Sequence, residues 1–390
     1  MTWPKGPQLW PSRVWLGLGV FGATVAVCGT VLLQSQIDTN GWLPLPVYPR
    51  VSNAVEERAV TQLDDFKSWL AENQASGFVG ELGWPLGADQ SRWNAVADVW
   101  FQSARQQDLW VTGWAAGSHW GDYPMTLYGS SQGQGIDTAR ATANSLETAL
   151  NHTHLGLYGV NVAGMEFGTQ LTAQIPGEPG RDYFYEPASS YNYVASRGLT
   201  LIRLPLRWER LQPELGGPLK DAEVAAVRQQ LDFAAAAHLR VVLDLHNYGR
   251  YRTDAGEFIL GTEQLTSDQL ADVWIKLASA LGNHSAVIGV GIMNEPHDLP
   301  ASAVGSAAQT WEAASQSVVS ALRASGFHKT IAVSGYDWSS LARWRTNHPH
   351  AWIQDPDANI RYEAHHYWDA NGSGNYDQSF NQELEGVGAD

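Results

Sequence analysis

Asn294 and Glu295 close an apolar run, VIGVGIMNEPHD at residues 287–298, and polar chemistry begins where that run stops. Val287, Ile288, Val290, Ile292 and Met293 read as a strand that is apolar on both faces, the pattern of a parallel sheet covered by helices. Pro296 cannot donate to a ladder, so the strand must end before it. A carboxylate and an amide at the C-terminal mouth of such a strand sit where α/β barrels place their active sites. Taken alone, the pair is also an ordinary polar strand end, and catalysis by Glu295 needs a second group from elsewhere in the chain.

The elements that could position such groups alternate along most of the sequence. Strands are expected at 77–82, 109–115, 157–163, 200–205, 240–246, 287–293, 330–334 and 359–367. Helices are expected at 55–74, 93–107, 138–150, 191–196, 221–237, 267–281 and 301–324, with a weaker helical signal at 339–345. In the first helix Val60, Leu63, Phe66, Leu70 and Ala71 share one stripe. A polar or aromatic residue closes nearly every strand: Glu81, Trp114, Asn161, Arg203, His246, Glu295, Tyr336 and His365. Eight βα units imply a closed (β/α)8 TIM barrel. An open doubly wound sheet would show a glycine-rich phosphate fingerprint after one strand, and none is present. Residues 369–390 are Gly- and Asn-rich and give no further strand.

The chain has 390 residues and a net charge of -16, from 24 basic and 40 acidic residues. That balance argues against nucleic acid as a partner, since phosphate neutralisation needs clustered Lys and Arg. The single cysteine, Cys28, excludes an intramolecular disulfide and a cysteine-based zinc site. The 18 tryptophans exceed what core packing requires, and flat indoles stack on the apolar faces of sugars.

Residues 14–33 carry no charge, and 20 helical residues span about 30 Å, enough to cross a bilayer. Lys5 and Arg13 precede this stretch and no basic residue follows until Arg50, which places everything downstream outside the cytoplasm. Residues 1–33 are therefore expected to be an anchor or a signal segment, 34–50 a proline-containing linker, and 51–390 the barrel. The expected location is extracytoplasmic, anchored or secreted after cleavage, and the expected state a monomer.

The motifs GVNVAGMEFG (159–168), LIRLPLRWERLQP (201–213), LDLHNYGRY (243–251), GIMNEPHD (291–298), SGYDW (334–338) and HHYWDANGSG (365–374) together resemble glycoside hydrolase family 5, in particular its endoglucanases. In that family the Asn-Glu pair ends the fourth strand and its glutamate is the acid/base, a role that carries over to Glu295. The family's seventh and eighth strands should follow residue 374, but the chain stops at Asp390. GFVGELGWP (77–85) resembles the seventh-strand motif around the nucleophile, and VTGWAAGSHWGDYPMTL (111–127) resembles the eighth strand with its loop. Both precede the other six strands, which implies a circular permutation with strands seven and eight first and 129–154 joining the old ends. A truncated hydrolase behind an unrelated domain is the rival, and it would lack those two strands.

The resemblance implies a retaining endo-β-glycosidase acting on β-1,4-glucan, with Glu295 as acid/base and Glu81 as nucleophile, the two about 5 Å apart. Glu295 must start protonated, raised by the charge on Glu81. By the same resemblance Arg203 keeps Glu81 ionised, Asn294 meets the sugar 2-hydroxyl, and Tyr367 bonds near the nucleophile. His246 and His365 line the reactive subsite, Trp114 floors it, and Trp338 carries a neighbouring sugar. Trp84, Trp120, Trp208 and Trp368 divide between cleft and core, and His366 reads as core. Neither a metal nor a cofactor is implied, since adjacent strand residues such as His365 and His366 face opposite ways. The expected partner is a β-glycan polysaccharide or oligosaccharide. Mannan, xylan or mixed-linkage glucan, transglycosylation, and non-catalytic glycan binding in exopolysaccharide assembly are the alternatives.

Overall fold

Eight apolar runs form parallel strands: β1 (Ser76–Gly83), β2 (Leu109–Ala116), β3 (Tyr158–Val162), β4 (Leu201–Leu206), β5 (Arg240–Leu245), β6 (Val287–Gly291), β7 (Thr330–Ser334) and β8 (Ile360–Tyr367). Their spatial order is β1-β8-β7-β6-β5-β4-β3-β2, and β2 pairs back onto β1, so the sheet closes as the expected (β/α)8 barrel. The computed structural model describes residues 53–168, 176–254, 256–301 and 305–387. The expected anchor and linker lie outside the described residues. Among the described residues, no helix is long and apolar enough to cross a membrane.

Helices between the strands begin where the sequence supplies a cap. In α1 (Ala54–Glu72), the Asn53 side chain accepts the Glu56 N–H at 3.0 Å, and Glu56 and Glu57 favour the positive end of the helix. Val55, Ala59, Leu63, Phe66 and Leu70 form its buried stripe. Reciprocal capping boxes start α6 (Ser267–Leu281) with Thr266 and Gln269, and α7 (Ala307–Ala324) with Ser306 and Gln309. The other outer helices are α2 (Gln90–Ala104), α3 (Ala143–Leu150), α4 (Ala188–Ser196) and α5 (Asp221–Ala236).

Several boundaries differ from those expected. The helix expected from 301 starts at Ala307, because Ser306 is its cap. The one expected from 138 starts at Ala143, because Thr138–Ala139 pairs with Tyr128–Gly129 as an antiparallel clip. β6 stops at Gly291, two residues early, although the Ile292 and Asn294 N–H groups still bond to Ala332 and Leu245 carbonyls at 3.2 and 2.8 Å. A hairpin, Arg250–Thr253 with Gly256–Ile259, rises from the loop after β5. The end of the chain also folds: Phe380–Val387 is a helix, its Phe380 ring 4.7 Å from Trp93, and its Glu383 3.3 Å from Arg58 of α1. The first and last described elements therefore meet.

Register sets the site. Asn161 on β3 pairs with Arg203 on β4, and Glu81 on β1 pairs with His365 on β8. The register of β1 shifts between Val79 and Glu81, a bulge of the kind that re-aims a side chain beside an active site. Gly80 is required there, because a Cβ would lie 2.0 Å from Glu363 Oε1.

Candidate active site

At the C-terminal mouth of the barrel, one oxygen each of Glu81 and Glu295 and one nitrogen of His365 lie within 4.8 Å of one another. Glu81 is buried at the end of β1. Tyr367 donates to its Oε2 at 2.6 Å, and Arg203 Nη1 reaches its Oε1 at 3.3 Å. Glu295 sits at φ +43°, the left-handed region that a non-glycine residue occupies at a cost of about 1–3 kcal/mol. The turn it makes off β6 sends its carboxyl to His365 Nδ1 at 2.6 Å.

Burial pushes the Glu81 carboxyl up from its ordinary value; Glu295 adds to the rise, while His365, Arg203 and the Tyr367 hydroxyl oppose it. Burial opposes a charge on His365, but Glu81, Glu295 and Glu363 outweigh it and push the imidazole up to about 10. His365 is thus an imidazolium at neutral pH, held between carboxylates.

His246 has the opposite state. Burial, then Arg203, Arg207 and His365, hold it well below its ordinary value. As a neutral ring with its Nδ1 proton on Asp244 Oδ2 at 2.9 Å, it accepts at Nε2 from the Asn294 amide at 3.3 Å and the Tyr248 hydroxyl at 3.1 Å. Asn294 is fixed from its other end by Arg203 Nη2, which donates to its Oδ1 at 2.7 Å.

Glu81, Glu295 and His246 line a cleft of about 770 Å³ that also takes in Trp114, Tyr123, Tyr248, Trp338, Tyr367 and the loop 371–375. Trp114 stacks on His246 with ring centroids 5.5 Å apart and 11° between planes, and its indole N–H donates to Tyr123 at 3.3 Å. Trp338 is 40% exposed, on a turn where Asp337, Trp338 and Ser339 all have positive φ. Its ring lies flat on His297, centroids 3.4 Å apart. Such a surface can take a sugar face. The loop 371–375 is held by Asp369, which accepts from Ser373 Oγ at 2.8 Å and the Gly374 N–H at 2.9 Å.

All nine residues expected in the site come together in this region. Trp84, Trp208 and Trp368 are core, whereas Trp120 packs beside the cleft, stacked on Tyr123. His366 faces outward, bonded to the Trp100 indole at 2.9 Å. Sequence reasoning missed Asp244 and Glu363, two fully buried acids under the mouth. The signal was available: each stands two residues before a site histidine on its strand, and so faces the same way.

The profile of the Cellulase (glycosyl hydrolase family 5) family matches residues 159–387, from β3 through β8. The chain is 29% identical over 227 residues to "Manganese dependent endoglucanase Eg5A" of Phanerodontia chrysosporium, a match covering 56% of this chain and 55% of that protein. It is 31% identical over 219 residues to "Endo-beta-1,4-glucanase A" of Emericella nidulans, covering 55% and 61%. The solved structure of Pseudomonas stutzeri endoglucanase Cel5A in complex with cellobiose aligns with a TM-score of 0.51 and 35% identity, over 56% of this chain and 62% of that one. The chain thus spans less than two thirds of the length of the curated relatives it matches. With more than half of its length matched to the family profile, the barrel belongs to glycosyl hydrolase family 5.

Proposed function

We propose that this chain is a retaining endo-β-1,4-glucanase in a circularly permuted barrel, with Glu295 as acid/base and Glu81 as nucleophile. The observation that carries the reading is the short separation of the two carboxylates across an aromatic-lined cleft. Carboxyl groups about 5–5.5 Å apart suit a covalent intermediate, and about 6.5–9.5 Å would leave room for a water instead. The permutation is supported by where the matched and unmatched strands lie. The profile covers six barrel strands, while β1 and β2 precede it in the chain and complete the barrel between β8 and β3.

In the first step Glu295 gives its proton to the glycosidic oxygen as that bond breaks. Glu81 Oε bonds to the anomeric carbon, and the leaving chain departs as an alcohol. In the second step Glu295, now a carboxylate, takes a proton from water as the water oxygen displaces Glu81. Anomeric configuration is inverted twice and so retained. Arg203, the His365 imidazolium and Tyr367 stabilise Glu81 as it leaves, and Asn294, pinned by Arg203, is set to meet the 2-hydroxyl. Proton NMR of the first product formed from a soluble glucan tests this reading: β-anomer is expected first, and initial α-anomer would overturn it.

Glucan as substrate is supported by the names of the relatives and by the cellobiose complex. We also propose extracytoplasmic action, with residues 14–33 as anchor or signal and the barrel as a monomer. Trp338→Ala is expected to raise KM for cello-oligosaccharides about tenfold, equivalent to about 1.4 kcal/mol, with kcat within about twofold. Steady-state kinetics on a series of oligosaccharide lengths checks it.

Glu81 must be ionised to attack, and its ionisation is shifted upward. The acid limb of kcat/KM is therefore expected above the ordinary glutamate value, with activity lost as pH falls through it. A pH profile on a soluble substrate reads this directly, and an acid limb at or below the ordinary value would contradict it.

A further inference from the structure

Beneath the mouth, the barrel interior holds more carboxylates than its cations balance. Arg203, fully buried on β4, lies 3.3 Å from Glu81, 3.0 Å from Asp244 Oδ1 and 2.8 Å from Glu363 Oε1. Asp244 on β5 and Glu363 on β8 are fully buried. The groups facing them are Arg203 from β4, Glu81 from β1, His365 from β8, and His246 from β5 itself. With Glu295 as the protonated acid, three carboxyl groups, Glu81, Asp244 and Glu363, meet two cations, Arg203 and the His365 imidazolium. Burying that excess negative charge is costly enough that a proton is taken up instead.

The geometry distinguishes the two floor acids. Glu363 Oε1 faces two cations, Arg203 Nε at 2.8 Å and His365 Nε2 at 3.4 Å. Asp244 faces one, Arg203 Nη2, and its other oxygen meets the neutral His246 ring. The remaining contacts converge on Gly291 of β6, where a Cβ would stand 3.3 Å from both Asp244 Oδ1 and Glu363 Oε2. Neither Glu363 Oε2 nor Asp244 Oδ1 has a hydrogen-bond partner among the described residues. The missing side chain leaves the space between the two acids open.

Resting on the glycosidase reading above, we propose that Asp244 and Glu363 are an unequal pair of positioning residues. Asp244 is held as a neutral carboxylic acid, and Glu363 is the charged floor acid that helps Glu81 and Glu295 keep His365 an imidazolium aimed at Glu295. The electrostatics agree. Burial pushes the Asp244 carboxyl well up, opposed by Arg203 and reinforced by Glu363 and Glu81. Burial works the same way on Glu363, but Arg203 and His365 prevail and hold it below its ordinary value. Glu363 thereby adds, after Glu81 and Glu295, to the charge held on a ring that touches both reacting carboxylates.

The test compares Asp244→Asn with Glu363→Gln in the full chain, because each amide mimics a neutral acid. Glu363→Gln is expected to lower kcat at least tenfold with KM within about twofold. It should also lower the pH at which His365 gives up its proton, read by ¹⁵N NMR of the ring, since a facing negative charge is lost. Asp244→Asn is expected to lower kcat at least tenfold less than Glu363→Gln does and to leave the His365 titration in place. Equal losses, or the reverse order, overturn the proposal. If Glu363→Gln does not fold, ¹⁵N NMR of the wild-type histidines decides, with His365 assigned by its loss in His365→Gln. Both ring nitrogens protonated at pH 8 is the expected state, and a neutral ring overturns the proposal. Full activity in Glu81→Gln would strike the glycosidase reading itself, whereas equal floor variants beside an inactive Glu81→Gln strike only the pair.

Discussion

Glu81→Gln is expected to lower kcat on soluble β-1,4-glucan by on the order of 10⁴-fold or more, because the amide cannot form the glycosyl ester. Glu295→Ala is expected to cost about 10²–10⁴-fold on glucan and far less on an aryl cellobioside whose leaving group needs no proton. Azide separates the two roles. With Glu81→Ala and an activated β-cellobioside, it takes the nucleophile's place and gives an α-glycosyl azide. With Glu295→Ala it intercepts the glycosyl-enzyme and gives a β-glycosyl azide. Product NMR distinguishes these outcomes, and the reverse pattern would exchange the assignments.

The second large effect is expected at Arg203. Its guanidinium serves three carboxylates and also donates to Asn161 Oδ1 at 3.0 Å and Asn294 Oδ1 at 2.7 Å. Arg203→Ala leaves buried acids without their cation and should cost about 3–5 kcal/mol in denaturant unfolding. The sign of its pH dependence follows. Without Arg203 the Asp244 and Glu363 carboxyls have folded pKa values above their unfolded ones, so the penalty is full at high pH and relaxes as pH falls and they protonate. Unfolding curves at pH 5 and pH 8 should show the smaller loss at pH 5. Arg203→Lys keeps the charge on a single ammonium that cannot span five acceptors, and it should recover only part of the stability.

What was legible in the sequence follows from what each element buries. The eight strands are apolar on both faces and bounded by polar ends, so they read plainly from one chain. The hairpin Arg250–Thr253 with Gly256–Ile259 did not, because its alternation of Arg, Tyr, Arg and Thr beside Gly and Glu marks no clear apolar face. The terminal helix Phe380–Val387 was hidden by the Gly- and Asn-rich approach to it. It forms because Phe380 packs on Trp93 and stacks under the Arg92 guanidinium, 4.1 Å from its centroid.

The site divides in a similar way. Glu295, His246, Asn294, His365 and Tyr367 stand in recognisable motifs at strand ends. Glu81 was findable only through the resemblance of a short motif, since a Gly-Glu-Leu-Gly turn is otherwise ordinary. Asp244 and Glu363 escaped because a carboxylate inside a strand reads as a solvated face, whereas in a barrel the same position points to the axis. The bulge at Gly80 and the left-handed turn at Glu295 are backbone events that residue types alone do not announce.

The central claim is that a glutamate far ahead of the matched family region is the group that attacks the sugar. A 2-deoxy-2-fluoro-β-cellobioside with a good leaving group slows the second step more than the first and traps the ester. Peptide mapping by mass spectrometry of the inactivated protein then reads which carboxyl carries the sugar. The expected result is a single label on Glu81, lost in Glu81→Gln. A label on another carboxylate, or turnover that inverts the anomer without any label, would contradict the account.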